Sequence, residues 1–250
     1  MMNSLLLALQ FFTIIPIKSN LPMEKRQITG MYTAFPWIGA GIGAVACWAL
    51  YFDWSYLMTA FAIVSLGIVL SGGLHMDGFI DTADAYFSYR DLNKRMEILD
   101  DPRVGAFGVL SIVLLILGKV IIIAEVLSSE SFHWIFLVII PLLSRLVLVM
   151  LFSTTLNAKD SGLAYFFKQR IHVHILIPLT ACSLFITICL IGLLTHWLIA
   201  ITILSVLFIF SCVYRSWTLK NFGGITGDLL GASLELTEVI LWINLLLLLS

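Results

Sequence analysis

Long apolar runs alternate with short polar segments along the whole chain, and that alternation predicts a bundle of membrane-spanning helices. Runs of spanning length fall at about 31–52, 54–74, 106–127, 132–152, 173–194, 197–219 and 236–249. A helix needs about 20 apolar residues to cross a hydrocarbon core of about 30 Å. The last run is short unless its helix begins within 229–236, and Thr195-His196-Trp197 marks a tight turn between the fifth and sixth. Seven spans is the expected count, with six and eight as the neighbouring ones. Upstream, residues 5–15, closed by Pro16, are apolar but too short to span, and read as a helix lying in the interface. This stretch has no cationic start and no small-residue cleavage site, so a signal peptide is not expected.

Composition narrows the class. Of 250 residues, 60% are hydrophobic and 12% charged, and the mean hydropathy is +1.05. Those values exclude a soluble globular domain and fit an all-α polytopic membrane protein, read as a single domain over 1–250 with the lipid bilayer as its partner and no nucleic acid. The net charge of −1 carries little information, whereas the placement of the cations carries much. Lys18, Lys25 and Arg26 precede the first span. Arg90, Lys94, Arg95 and Arg103 follow the second, Lys159, Lys168 and Arg170 follow the fourth, and Arg215 and Lys220 close the sixth. With seven spans they share one side, while the opposite loops around Asp53, 128–133 and 195–197 hold no Lys or Arg. The positive-inside rule then makes the N-terminus cytoplasmic and the C-terminus external. Cys47, Cys182, Cys189 and Cys212 are scattered through the spans without a CxxC pair, so they read as packing residues with no disulfide or zinc role.

Three segments on the cationic side are polar enough for chemistry: 75–108, 157–174 and 220–238. In the first, Asp77, Asp81 and Asp84 follow directly on an apolar run, with Gly72, Gly73 and Gly78 around them. Spacings of four and three place these carboxylates within roughly 60° of one helix face. Like charges on one stripe repel. A divalent cation bridging to phosphate would relieve that repulsion, and a solvated acidic helix start is the plainer alternative. The helix should continue to about Tyr89, followed by an amphipathic helix over 91–99. Pro102 then presents Asp101 on a turn, where it could join the cluster as a fourth ligand; Asp100 reads as solvated. In the third segment Thr226 or Asp228 can cap a helix, Asp228 and Glu235 share a face, and Gly231, Ala232 and Ser233 allow close approach. Glu235 and Glu238 enter an apolar span, where an unpaired carboxylate is costly; interfacial exposure is the plainer reading of Glu238. Lys119 and Arg145 lie within spans as candidate phosphate-binding cations, with a salt bridge from Lys119 to Glu235 or Glu125 as its alternative. Arg103 serves equally as phosphate ligand or anchor. His75 reads either as a satisfied boundary histidine or as a substrate-contacting base.

The stretches GGLHMDGFIDTADAYFS, DDPRVGAFG and GGITGDLLGASLELTE, with FFTIIP and FPWIGAGIG before them, resemble the cobalamin synthase family, the adenosylcobinamide-GDP ribazoletransferases, over essentially the whole chain. The resemblance implies a Mg²⁺-dependent membrane phosphotransferase that joins adenosylcobinamide-GDP to α-ribazole or its 5′-phosphate and releases GMP. It places the family's acidic motif on Asp77, Asp81 and Asp84, its downstream pair on Asp101 and Arg103, and its Thr-Gly-Asp motif on Thr226, Gly227 and Asp228. Similar proteins also carry intramembrane cations where Lys119 and Arg145 stand. Asp228, and after it Glu235, are the expected bases. Ala85 departs from the glycine of many relatives without touching a ligand position. A bacterial or archaeal cytoplasmic membrane is the implied location, with the site facing inward and a homo-oligomer left open. Three other readings compete. A CDP-alcohol phosphotransferase should show Asp-Gly-x-x-Ala-Arg, which is absent. A prenyltransferase should show two similar Asp-rich motifs, and an ion-coupled transporter should carry its ionisable groups near the midplane.

Overall fold

In a computed structural model, described for residues 2–88 and 91–249, the chain forms eleven α-helices, and no strand occurs among those residues. They are α1 Met2–Phe12, α2 Lys25–Ala46 (extended by a 3-10 turn, Cys47–Tyr51), α3 Tyr56–Ser71, α4 Leu74–Ser88, α5 Leu92–Leu99, α6 Ala106–Ser128, α7 Ile135–Thr154, α8 Gly162–Lys168, α9 Val173–Leu194, α10 Trp197–Phe222 and α11 Gly227–Leu249. Six are long and apolar enough to cross a membrane, and the pair α3–α4 makes a seventh crossing if counted as one broken span. The expected all-α bundle of about seven spans is therefore the fold. Tyr89 and Arg90 lie outside the described residues.

α7 is the hub. Within its spanning window 83% of the residues are buried, against 22% for α10 at the periphery. Its seam with α2 follows from small residues and one proline. Pro141 has no N–H to offer Leu137, whose carbonyl would otherwise be bonded within the helix. Gly43 of α2 lies directly against that carbonyl, and Gly39 sits over Pro141 and the Arg145 side chain. Two glycines four apart let the backbones approach, as small-xxx-small seams do in membranes.

The short N-terminal helix does more than lie on a surface. Leu7, Ala8 and Phe12 are buried, Ser4 packs on Gly30, and the Phe12 ring stacks on Phe35 with centroids 3.9 Å apart. α1 thus covers the first half of α2. The final span begins at Gly227, earlier than the apolar run at 236 suggested, because the polar segment 227–235 is helical and buried against its neighbours.

The second apolar run breaks where α3 ends. Gly72 and Gly73 take φ +66° and +71°, the left-handed region that a side chain disfavours. Two such residues in succession turn the axis by 95° between α3 and α4. α4 therefore leaves the direction of α3 and lies across the start of α6 and the start of α11, with which it makes extensive contact.

Candidate functional site

Close backbone approach on both flanks holds α4 in place. On one flank a Cβ at Gly78 would stand 2.8 Å from the Asp228 Cα, and one at Gly231 would stand 3.1 Å from the His75 carbonyl oxygen. On the other, Gly105 lies against the Asp84 carboxylate and Gly108 against Ile80. The crossing brings the first turn of α11 beside the acidic stripe. Asp77 is exposed, Asp81 and Asp228 are half-buried, and Asp84 is buried, where it accepts a long hydrogen bond from the Gly108 N–H (3.4 Å).

The loop before α11 is fixed from two directions. Ile225 donates its N–H to Leu156 (2.9 Å), and Ala158 donates to Ile225 (3.0 Å), a two-bond parallel bridge between Asn157 and Ile225. Thr226 caps the helix: its hydroxyl accepts from the Leu229 N–H (3.2 Å) and donates to Asp228 Oδ2 (3.2 Å). Asp81 is within electrostatic reach of Asp77, Asp84 and Asp228. Among the described residues none of these four carboxylates forms an ion pair. Nor do three His, Cys, Asp or Glu side chains converge closely enough there to enclose a metal ion by themselves.

Asp101, the suggested fourth ligand, is paired with a cation. It is half-buried and chelated by Arg103, with Nη2–Oδ2 2.6 Å and Nε–Oδ1 2.9 Å. The guanidinium holds the Asp101 carboxyl down to about 2. Asp228 lies beside the stripe, its backbone against Gly78. Arg103, with its guanidinium on Asp101, points away from a phosphate role.

Lys119, Arg145 and Glu235 lie deeper. Lys119 Nζ donates to Glu235 Oε2 (2.5 Å) and Glu238 Oε2 (2.8 Å). Arg145 donates to Glu238 Oε1, to Ser144 Oγ (3.0 Å) and to the Pro141 carbonyl (3.1 Å). The result is a buried, charge-neutral quartet joining α6, α7 and α11. The salt-bridge alternative for Lys119 is thus the arrangement present, and Arg145 has the same kind of partner. Glu235 lies about 10 Å along α11 from Asp228 at 1.5 Å per residue and faces Lys119, not the stripe. Glu238, for which interfacial exposure was the plainer alternative, is the centre of the quartet; its place three residues after Glu235 within an apolar span was the available signal. His75 is buried with Nδ1 lacking a hydrogen-bond partner, and its ring lies near Phe12 and Phe35.

A cavity of about 370 Å³ opens beside the stripe. Asp77, Asp228, Thr226 and Gly227 line one part of it, and α1, α2 and α8 supply hydrocarbon to another. Lys159 also reaches it, paired with Asp100. Sequence reasoning missed Lys159 and the aromatic residues, because nothing local marks them as neighbours of an acidic helix.

A family model of cobalamin-5-phosphate synthase matches residues 4–247. The chain belongs to this family. Proteins named adenosylcobinamide-GDP ribazoletransferase resemble this chain over nearly their full length. The one from Geobacillus thermodenitrificans is 36% identical over 97% of this chain and 94% of its own. Those from Clostridium tetani (34%, covering 94% and 92%) and Acinetobacter baumannii (36%, covering 94% and 93%) are similar in extent. No solved structure matches. Membership makes the chain a membrane-embedded transferase of cobalamin synthesis. In this chain the α4–α11 crossing should be sensitive to one methyl group. Gly78→Ala would press its Cβ on Asp228 backbone atoms 2.8 Å away; neither partner is a flexible side-chain end. Overpacking of this kind costs about 1–3 kcal/mol. The expected result is a lower melting temperature in detergent, together with loss of turnover as Asp228 moves off the stripe. Wild-type stability and rate in this variant would show that the crossing is loose.

Proposed function

We propose that this protein transfers the phosphoryl-linked cobinamide of adenosylcobinamide-GDP to α-ribazole or α-ribazole 5′-phosphate, with release of GMP. A ribazole hydroxyl oxygen attacks the phosphorus that carries the aminopropanol arm, the bond from that phosphorus to the bridging oxygen breaks, and GMP departs with that oxygen. The hydroxyl proton passes to Asp228. Support for that role comes from Thr226, whose hydroxyl holds Asp228 Oδ2 and leaves Oδ1 for the nucleophile, and from the placement of Asp228 on the cavity wall. A general base must lie within hydrogen-bond reach of the proton it takes.

The observation that carries the reading is a set of four carboxylates, Asp77, Asp81, Asp84 and Asp228, gathered at one mouth of the bundle with no ion pair to any of them among the described residues, in a chain of this family. This donor set fits Mg²⁺, which takes oxygen ligands, keeps several waters and commonly uses one or two carboxylates plus phosphate oxygens. No closed cage of protein ligands is therefore needed. Asp77 and Asp81 would hold the ion, with Asp84 positioned by Gly105 and the Gly108 N–H at the far end of the stripe. Bound there, the ion would supply charge neutralisation at the diphosphate. The site faces the cytoplasm of a bacterial or archaeal cell by the positive-inside rule, since the ends of the spans near α4, α5 and α8 carry the cations.

The test is GMP release from adenosylcobinamide-GDP and α-ribazole by membranes containing the protein. Release should stop with EDTA and return with Mg²⁺. Absence of GMP, with collapse of an imposed ion gradient instead, would support the transporter reading.

A further inference from the structure

Four rings form a connected patch on the wall of the cavity beside Asp77 and Asp228. Phe11 and Phe12 come from α1, Tyr32 from α2 and Phe167 from α8. Phe11 meets Phe167 edge-on at 5.1 Å and Phe12 at 5.1 Å. Tyr32 meets Phe12 at 6.0 Å and Phe167 at 6.1 Å. Phe12, Tyr32 and Phe167 are buried and held by further packing, Phe12 on Phe35 and Tyr32 on Phe152. The surface they offer is rigid before any ligand arrives, which limits the ordering cost of binding. Leu148, Leu163 and Ala164 continue it as hydrocarbon.

We infer that this cavity is the acceptor subsite: it receives α-ribazole, with the benzimidazole against the Phe11–Phe12–Tyr32–Phe167 patch and a ribose hydroxyl directed to Asp228. The inference rests on the reaction proposed above and adds which of the two substrates enters here and what recognises it. Size decides first. At about 370 Å³ the cavity lies at the lower end of the ~300–1,000 Å³ range of small-ligand pockets. That is room for one base with its ribose and far too little for a corrinoid, which must approach from the open side of the stripe. Chemistry decides between the two bases on offer. Guanine presents N–H donors and a carbonyl acceptor along one edge, and burying them without partners is costly. The patch has one polar side-chain atom, the Tyr32 hydroxyl. A dimethylbenzimidazole has methyl groups at its outer edge and needs apolar and aromatic contact, which this wall supplies. The polar end of the same cavity, with Asp77, Thr226 and Asp228, then meets the sugar.

The experiment compares both substrates in purified protein reconstituted in nanodiscs, using two variants chosen to spare the fold. Phe11 is only partly buried, and Leu163 is 60% exposed on the rim. Phe11→Ala should raise the KM for α-ribazole about tenfold by removing one ring from the contact, and Leu163→Trp should raise it by filling the space. The KM for adenosylcobinamide-GDP should stay within about twofold in both. The riboside of unsubstituted benzimidazole should lose less than α-ribazole in the Phe11→Ala protein. A rise confined to the GDP-bearing substrate would place guanosine in the cavity and overturn the inference, as would KM values for α-ribazole that neither variant moves. Equilibrium binding of α-ribazole alone separates the two levels of the proposal. Binding that Phe11→Ala weakens, in a wild-type protein that releases no GMP, would keep the subsite and refute the reaction.

Discussion

Asp81→Asn should insert normally and lose roughly a thousandfold in turnover, about 4 kcal/mol of activation free energy. Asp81 is the middle carboxylate of the stripe and lies within electrostatic reach of Asp77, Asp84 and Asp228 at once. Neutralising it removes the acid best placed to share an ion with its neighbours. It removes no protein hydrogen bond or ion pair given for the described residues. In the ion-free protein, mutual repulsion among these carboxylates opposes folding, so the variant should melt at the same temperature as wild type or higher in EDTA. Mg²⁺ should raise the melting temperature of wild type, because a ligand that binds only the folded state stabilises it. That rise should shrink in Asp81→Asn. Substantial activity together with an undiminished Mg²⁺ response would remove the stripe from the chemistry and leave it as a solvated helix start.

Lys119→Met should act the other way, weakening the fold first and the rate through it. The ammonium is shared by Glu235 and Glu238, and only 4% of the Lys119 surface is exposed. Removing one partner of a buried ion network typically costs about 3–5 kcal/mol, because the remaining charge is left without compensation. Here two carboxylates would be left to Arg145 alone. Adding Glu235→Gln restores charge balance, so the double variant should regain much of the stability lost by the single one. A thermal-melt or proteolysis series in detergent reads both. The quartet joins α11 to α6 and α7, and α11 carries Asp228 at its first turn, so activity should follow stability across the series. A Lys119 that contacted substrate phosphate would behave differently: the single variant would lose rate at nearly unchanged stability, and Glu235→Gln would not rescue it.

These two outcomes separate residues that sequence spacing places together from residues that only packing unites. The acidic stripe was legible because it is local. Asp77, Asp81 and Asp84 repeat at helical spacing after an apolar run, and a helix of any tilt keeps them on one face. The spans were legible for the same reason, since lipid demands internally bonded backbone over a known length. The 95° break at Gly72–Gly73 was half visible: two glycines announce a bend, but not its angle or destination. The pairing of Asp101 with Arg103, two residues on, was not read from the sequence, because it depends on how the turn after Pro102 folds back. The quartet was read in fragments. Spacing offers Lys119 and Glu235 as an alternative pair, puts Glu238 in an apolar span without naming its partner, and leaves Arg145 as a phosphate candidate; the choice depends on how α6, α7 and α11 rotate against one another.

The sequence alone determined the solvent of this protein, the number of its crossings to within one, its family, and a row of carboxylates on one helix face. Each of these depends on hydropathy or on spacing within a single element. Only the tertiary structure decided that Asp228 lies beside that row, that the intramembrane cations are matched by Glu235 and Glu238, and that rings from α1, α2 and α8 form one wall beside the acids. Such contacts link residues far apart in the chain and depend on helix crossing angles. Those angles are set by where glycines let backbones touch, as at Gly78 against Asp228 and Gly43 against Leu137, and a pattern read along one strand of text holds no information on which distant backbone will occupy the space a missing side chain leaves.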